Sequence, residues 1–128
     1  MKLGKEYNLP VFAPRMMLLA MPEEMREMVK KEFVLVDGFF MLNVDNPDTS
    51  WEEEYAKMIE KIKPGLNVMI VHLAHDNAEM QAVAVNHPAF GATWREKDLD
   101  YVQSQTFHDL LKEKDIKLTT WKEIASLK

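Results

Sequence analysis

A short run, Leu66 to Val71 (LNVMIV), constrains this chain more than any other feature. It is apolar apart from Asn67 and is set off upstream by Pro64-Gly65. A run this short without polar alternation is the pattern of a strand covered on both faces, and such strands belong to parallel sheets. Parallel neighbours need long crossovers, usually helical, so the run points to an α/β architecture. The same stretch, VMIVHLAHDNAEM from Val68 to Met80, then meets His72, His75, Asp76 and Glu79. Functional side chains collect where parallel strands end, because the loops there converge.

The flanking sequence fits an alternation of strands and helices. Residues 1–7 read as the end of a helix that stops at Tyr7-Asn8, and Leu9 to Ala13 as a short strand broken by Pro14. Pro22-Glu23-Glu24 opens a helix, with acids at the positive end of its dipole and Met25, Met28 and Val29 on its apolar face. Phe33 to Val36, bounded by Asp37-Gly38, reads as a strand. Asn43 to Ser50 is a loop by its turn residues. Ser50 and Glu53 have the spacing of a capping box, opening a helix with Trp51, Tyr55, Met58, Ile59 and Ile62 on one face and Pro64-Gly65 at its end. A short helix from Asp76 to about Val83, a loop from Asn86 to Ala92 and a helix from about Thr93 to Val102 follow. Ser104 caps a further helix through Leu111. Ile116 to Leu118 reads as a last strand, and Thr120 with Glu123 as the capping box of a terminal helix. The predicted class is α/β, with about four short, mainly parallel strands and surrounding helices in a single domain over residues 1–128. Four strands make a small sheet for this class, and a helix end feeding directly into a strand hints at a missing partner segment.

Composition narrows the function classes. At 128 residues, 47% hydrophobic and 29% charged, the chain can bury an ordinary core. No apolar run approaches the roughly 20 residues of a membrane span, and no apolar leader opens the chain. A net charge of −5, with Lys and Arg mixed among acids, argues against nucleic acid as a partner. The absence of cysteine excludes disulfides and thiolate metal sites, and fits a cytoplasmic location. The ten methionines sit mainly at periodic apolar positions and read as core filler.

His72 stands directly after the apolar run and could serve as a general acid or base near neutral pH, or as a metal ligand. His75, Asp76 and Glu79 follow at spacings that could face one another. The structural alternative is a satisfied strand-end histidine, an N-cap at Asp76 or Asn77, and a first-turn acid at Glu79. His-x-x-His-Asp is not among the specific zinc signatures, so spacing leaves both readings open. Arg95 with Asp98 has the spacing of a helical ion pair. His87 suits a turn and His108 a solvated helix face. Trp51, Trp94 and Trp121 lie on or beside amphipathic helices, where core packing is their usual use.

The ordered set of stretches carries a resemblance. PGLNVMIVHLAHDNAEM (64–80), NHPAFGATWREKDLDY (86–101) and LLKEKDIKLTTWKEI (110–124) resemble the C-terminal part of the YdjC-like, chitooligosaccharide-deacetylase-type carbohydrate deacetylases. KEYNLPVFAPR (5–15) is similar to a helix-to-strand junction in that family, and residues 16–48 carry the least of the likeness. The resemblance implies part of a (β/α) barrel, in a full domain about twice this length. It implies a divalent metal, Mg or Zn, that activates water to attack an acetyl amide, with an acetylated oligosaccharide as substrate. It also implies that His72, in place of the histidine of a late His-Pro pair, is the acid for the leaving amine. Arg95 matches a recurring arginine, and His75, Asp76 and Glu79 are neighbours without an assigned role.

This chain departs from the family pattern in three ways. Leu73 stands where the family has the proline, and both the N-terminal Asp-Asp motif and the middle histidine motif are absent. No metal-ligand set is evident without them. Two expectations follow. Either the chain supplies His72 to a deacetylase site completed by another segment, or it is a non-catalytic relative that covers its open edge as a homo-oligomer.

Overall fold

A computed structural model of the protein describes residues 2–43 and 49–126. Its elements run α1 (Lys2–Glu6), β1 (Phe12–Pro14), a 3-10 turn (Arg15–Ala20), α2 (Glu23–Glu32), β2 (Val34–Val36), β3 (Gly38–Met41), α3 (Trp51–Ile59), β4 (Asn67–Ile70), α4 (Ala78–Val83), a 3-10 turn (Pro88–Phe90), α5 (Ala92–Gln103), α6 (Gln105–Glu113) and α7 (Trp121–Ala125). The chain is α/β, as predicted, and its strands pair as two small parallel sheets, β1 with β2 and β3 with β4. Of the predicted loop from Asn43 to Ser50, residues 44–48 lie outside the described residues. No helix among the described residues is long and apolar enough to cross a membrane.

Two compact units emerge. The first comprises residues 1–40, 62–68 and 118–128. Its centre is the pairing of β1 with β2, in register Phe12↔Val34, Ala13↔Leu35 and Pro14↔Val36. Ala13, Val34 and Val36 are buried there, with Leu18 from the 3-10 turn. Pro14 closes β1 instead of breaking it, which an edge position allows because proline lacks only the N–H. The Asp37-Gly38 dipeptide separates two strands, β2 and β3, so the Phe39-Phe40 pair taken as the far side of a boundary is itself extended.

Asp37 holds this unit's turns together. It hydrogen-bonds Arg15, accepts the Leu66 N–H at 3.0 Å through its carboxylate, and donates its own N–H to the Leu66 carbonyl at 2.7 Å. Gly65 makes the approach feasible: its φ is +134°, and a Cβ there would lie 2.6 Å from Asp37 Oδ2.

The second unit comprises residues 41–61 and 69–117. Ser50 Oγ accepts the Glu53 N–H, opening α3 as its spacing predicts. α3 then buries Trp51, Tyr55, Met58 and Ile59, the i, i+4, i+7, i+8 stripe read from the sequence. Ile62 lies beyond its end. α5 buries Ala92, Trp94, Asp98 and Tyr101, and α6 buries Phe107 and Leu111. Tyr55 packs against Tyr101 at 4.6 Å between ring centroids and edge-on to Phe107 at 5.9 Å, and Trp51 meets Trp94 edge-on at 4.8 Å. Each such ring contributes about 1.5–3 kcal/mol by leaving water.

The strand expected at Ile116 to Leu118 does not form. Asp115 takes the left-handed φ of +51°, and the Ile116 N–H bonds the Leu111 carbonyl at 2.8 Å, closing the end of α6. Its ladder donor is thereby spent. Thr120 and Glu123 do form the full capping box of α7. The methionine reading is also corrected. Met58 is buried, whereas Met16, Met17, Met25, Met28 and Met41 are all exposed.

Candidate functional site

His72 lies two residues past β4, in the second unit, where an extended segment runs beside α5. Three alternate backbone N–H groups tie that segment to the helix. His72 donates to Asp98 Oδ2 at 3.0 Å, Ala74 to the Arg95 carbonyl at 3.4 Å, and Asp76 to Glu96 Oε1 at 3.2 Å. The two-residue repeat follows from extended backbone, in which successive N–H groups point to opposite sides. The His72 ring is half-buried and stacks on Phe90, with centroids 4.5 Å apart and 24° between planes. Phe90 in turn meets Trp94 edge-on at 5.3 Å.

The other sequence candidates divide. Arg95 supports the site indirectly: its Nε donates to the Phe90 carbonyl at 2.9 Å and so fixes the turn that carries the ring under His72. Asp76 accepts Gln81 Nε2 and Thr93 Oγ1, both at 2.7 Å, and these bonds, Gln81 first, hold its carboxyl below the ordinary 3.8. Asn77, not Asp76, caps α4 through the Met80 N–H. His75 is exposed, with Nδ1 4.0 Å from Glu96. Glu79 sits on the exposed first turn of α4, away from the others' hydrogen bonds.

Asp98 is the residue the sequence reading misplaced. The expected pair with Arg95 is replaced, because Asp98 turns inward and is 1% exposed. Its Oδ1 accepts Trp51 Nε1 and the Tyr55 hydroxyl, both at 2.9 Å, while Oδ2 takes the His72 N–H. Burying a carboxylate is costly unless its lone pairs are satisfied, and here three neutral donors satisfy them. Burial first, and the facing carboxylate second, push the Tyr55 hydroxyl far above its ordinary 10.0, so it stays a donor. The signal was present in the spacing: Trp94, Asp98 and Tyr101 form an i, i+4, i+7 stripe, and an aspartate within an aromatic stripe faces the core.

Metal chemistry finds no ready seat in this part of the protein. Among the described residues no group of three or more His, Asp or Glu side chains could hold a metal ion. Two carboxylates bonded at this strand end are already engaged, Asp98 by three donors and Asp76 by two. The residues present do not fit the divalent ion that the resemblance implies.

The geometry defines an α/β chain with one strand-end histidine stacked on an aromatic ring. The sequence is more specific: a family model of YdjC-like proteins matches residues 1–113. The chain belongs to the YdjC-like family. The match includes residues 16–48, where the motif likeness was weakest, and ends at residue 113, inside the third quoted stretch. No curated protein matches the chain.

Proposed function

We propose that this chain is a carbohydrate-deacetylase-related domain, part of a (β/α) barrel, that contributes His72 to a site completed by residues outside these 128. The carrying observation is the His72 arrangement itself: a half-exposed imidazole after a strand end, oriented by Phe90 and tied by its backbone to Asp98. Such a ring can protonate the amine that leaves when an acetyl amide is cleaved. Among the described residues no group gathers to hold a metal and polarise the carbonyl, so on this reading the chain needs a completing segment to turn over substrate. An acetylated chito-oligosaccharide assay tests this with the chain alone and with a co-expressed segment carrying the family's Asp-Asp and histidine motifs. The reading requires turnover only in the second case, lost in His72→Ala. Hydrolysis by the chain alone, or His72→Ala without effect, overturns it.

A second reading is favoured by the first unit. Leu19 (83% exposed), Met16 (75%) and Leu118 (70%) lead a series of apolar side chains left in water, and α2 buries none of its residues, Met28 (53%) included. Exposed apolar surface of this kind marks association sites. A homo-oligomer is the simplest partner, and sedimentation of the purified chain decides it: a stable monomer rules this reading out.

A further inference from the structure

Asp98 is the sole buried charged residue among the described residues, and its bonds connect two elements with the strand end. Oδ1 is occupied by α3, through Trp51 and Tyr55, and Oδ2 is left for the His72 N–H. An apolar side chain of similar size would fill the space between Trp94 and Tyr101 without the cost of burying a carboxylate. Beyond accepting from Trp51 and Tyr55, the carboxylate adds a fixed acceptor at the backbone of His72. From these contacts we infer that Asp98 is the positioning residue of His72, holding its backbone so that the imidazole stays stacked on Phe90. The inference rests on the proposed role of His72 for its functional meaning, but its geometry stands separately. A proton donor acts only within about 3 Å of the atom it serves, and a misplacement near 1 Å costs about 100-fold in rate.

Asp98→Asn isolates the bond. Trp51 Nε1 can only donate, so the asparagine oxygen stays toward α3 and the amide NH2 faces the His72 N–H, donor against donor. In the labelled full chain, NMR of Asp98→Asn should show the His72 amide exchanging about tenfold faster than in the wild type. The His72 ring protons should lose the upfield displacement imposed by Phe90 and approach the positions of exposed His87. The Phe107 amide, capped by Ser104 at 3.1 Å, should keep its protection. Tyr55→Phe is the control for a merely structural role. It loosens the same buried cluster but leaves Oδ2 on His72, so the His72 signals should stay in place.

A folded Asp98→Asn with an unmoved His72 overturns the inference, as does a Tyr55→Phe that moves His72 equally. Should Asp98→Asn fail to fold, the wild type still decides: an unprotected His72 amide, or ring shifts like those of exposed His87, overturns it. None of these readouts needs turnover. Failure of the completed enzyme to hydrolyse acetylated sugar would sink the catalytic reading and leave the positioning intact. In an active completed enzyme, Asp98→Asn should lower kcat with little change in KM.

Discussion

The unit holding His72 and the unit built on β1 and β2 spend their apolar residues differently. In the former, α3, α5 and α6 bury Trp51, Tyr55, Trp94, Tyr101 and Phe107 against one another, and even a carboxylate is fully satisfied inside. In the latter, the described residues that are buried are Ala13, Leu18, Val34 and Val36, while α2 keeps Met25 and Met28 in water, and Phe12, half-open itself, stacks on Phe39 at 6.5 Å and Trp121 at 5.3 Å. A few charged contacts, chiefly those of Asp37, hold its turns. One unit is closed by side-chain packing, the other by backbone turns and a clasp. The difference separates the two proposals: the strand end that carries His72 belongs to the closed unit, and the exposed apolar residues behind the proposed association belong to the open one.

Five variants and a pH change probe this contrast. Asp98→Leu leaves Trp51 Nε1 and the Tyr55 hydroxyl buried without an acceptor, and should cost about 2–5 kcal/mol in urea denaturation. A cost under about 1 kcal/mol would mean that the closed unit does not depend on its polar centre. Gly65→Ala forces a side chain into a left-handed backbone and against Asp37, and should cost about 1–3 kcal/mol. Its effect should show in the Leu66 amide and leave the His72 amide untouched.

Thr120→Ala removes the cap of α7 and should cost about 1 kcal/mol, read as faster exchange at the Glu123 amide.

Acid should act on the clasp. Arg15 first, then the Leu66 N–H, hold the Asp37 carboxyl below its ordinary 3.8. Its contribution is therefore complete above that value and lost as pH falls through the lowered one. Leu66 exchange should rise in that acidic window in the wild type and show no such dependence in Asp37→Asn. Smallest of all, Met25→Lys with Met28→Lys should change the stability of the isolated chain by no more than about 0.5 kcal/mol. The same pair should shift any oligomer toward monomer in sedimentation. A cost typical of a buried site would show instead that this face of α2 is covered in solution.

Much of this was legible in the residues. The LNVMIV run gave away β4, the Trp51, Tyr55, Met58, Ile59 stripe gave away α3, and Ser104, Thr120 and Glu123 marked their caps. These signals are local and carry their own periodicity. What failed depended on distant partners. Ile116 to Leu118 has strand composition but no strand to bond, and α6 claims its first N–H. The methionines of α2 have helical spacing, yet spacing cannot say whether anything lies opposite. Asp98 looked like half of a surface pair because its donors come from residues 51, 55 and 72. His72 was found through its place after a strand, while Phe90 beneath it was hidden in a loop.

The alternate ties between the 72–76 segment and α5 also bear on how such a sequence can drift. The N–H groups of residues 72, 74 and 76 are committed, while those of Leu73 and His75 bond nothing among the described residues. Proline lacks only that N–H and favours extended backbone in the residue before it. Position 73 can therefore exchange leucine and proline without breaking a tie, whereas 74 and 76 cannot. Leucine in place of the proline that the resemblance implies leaves all three ties to α5 intact.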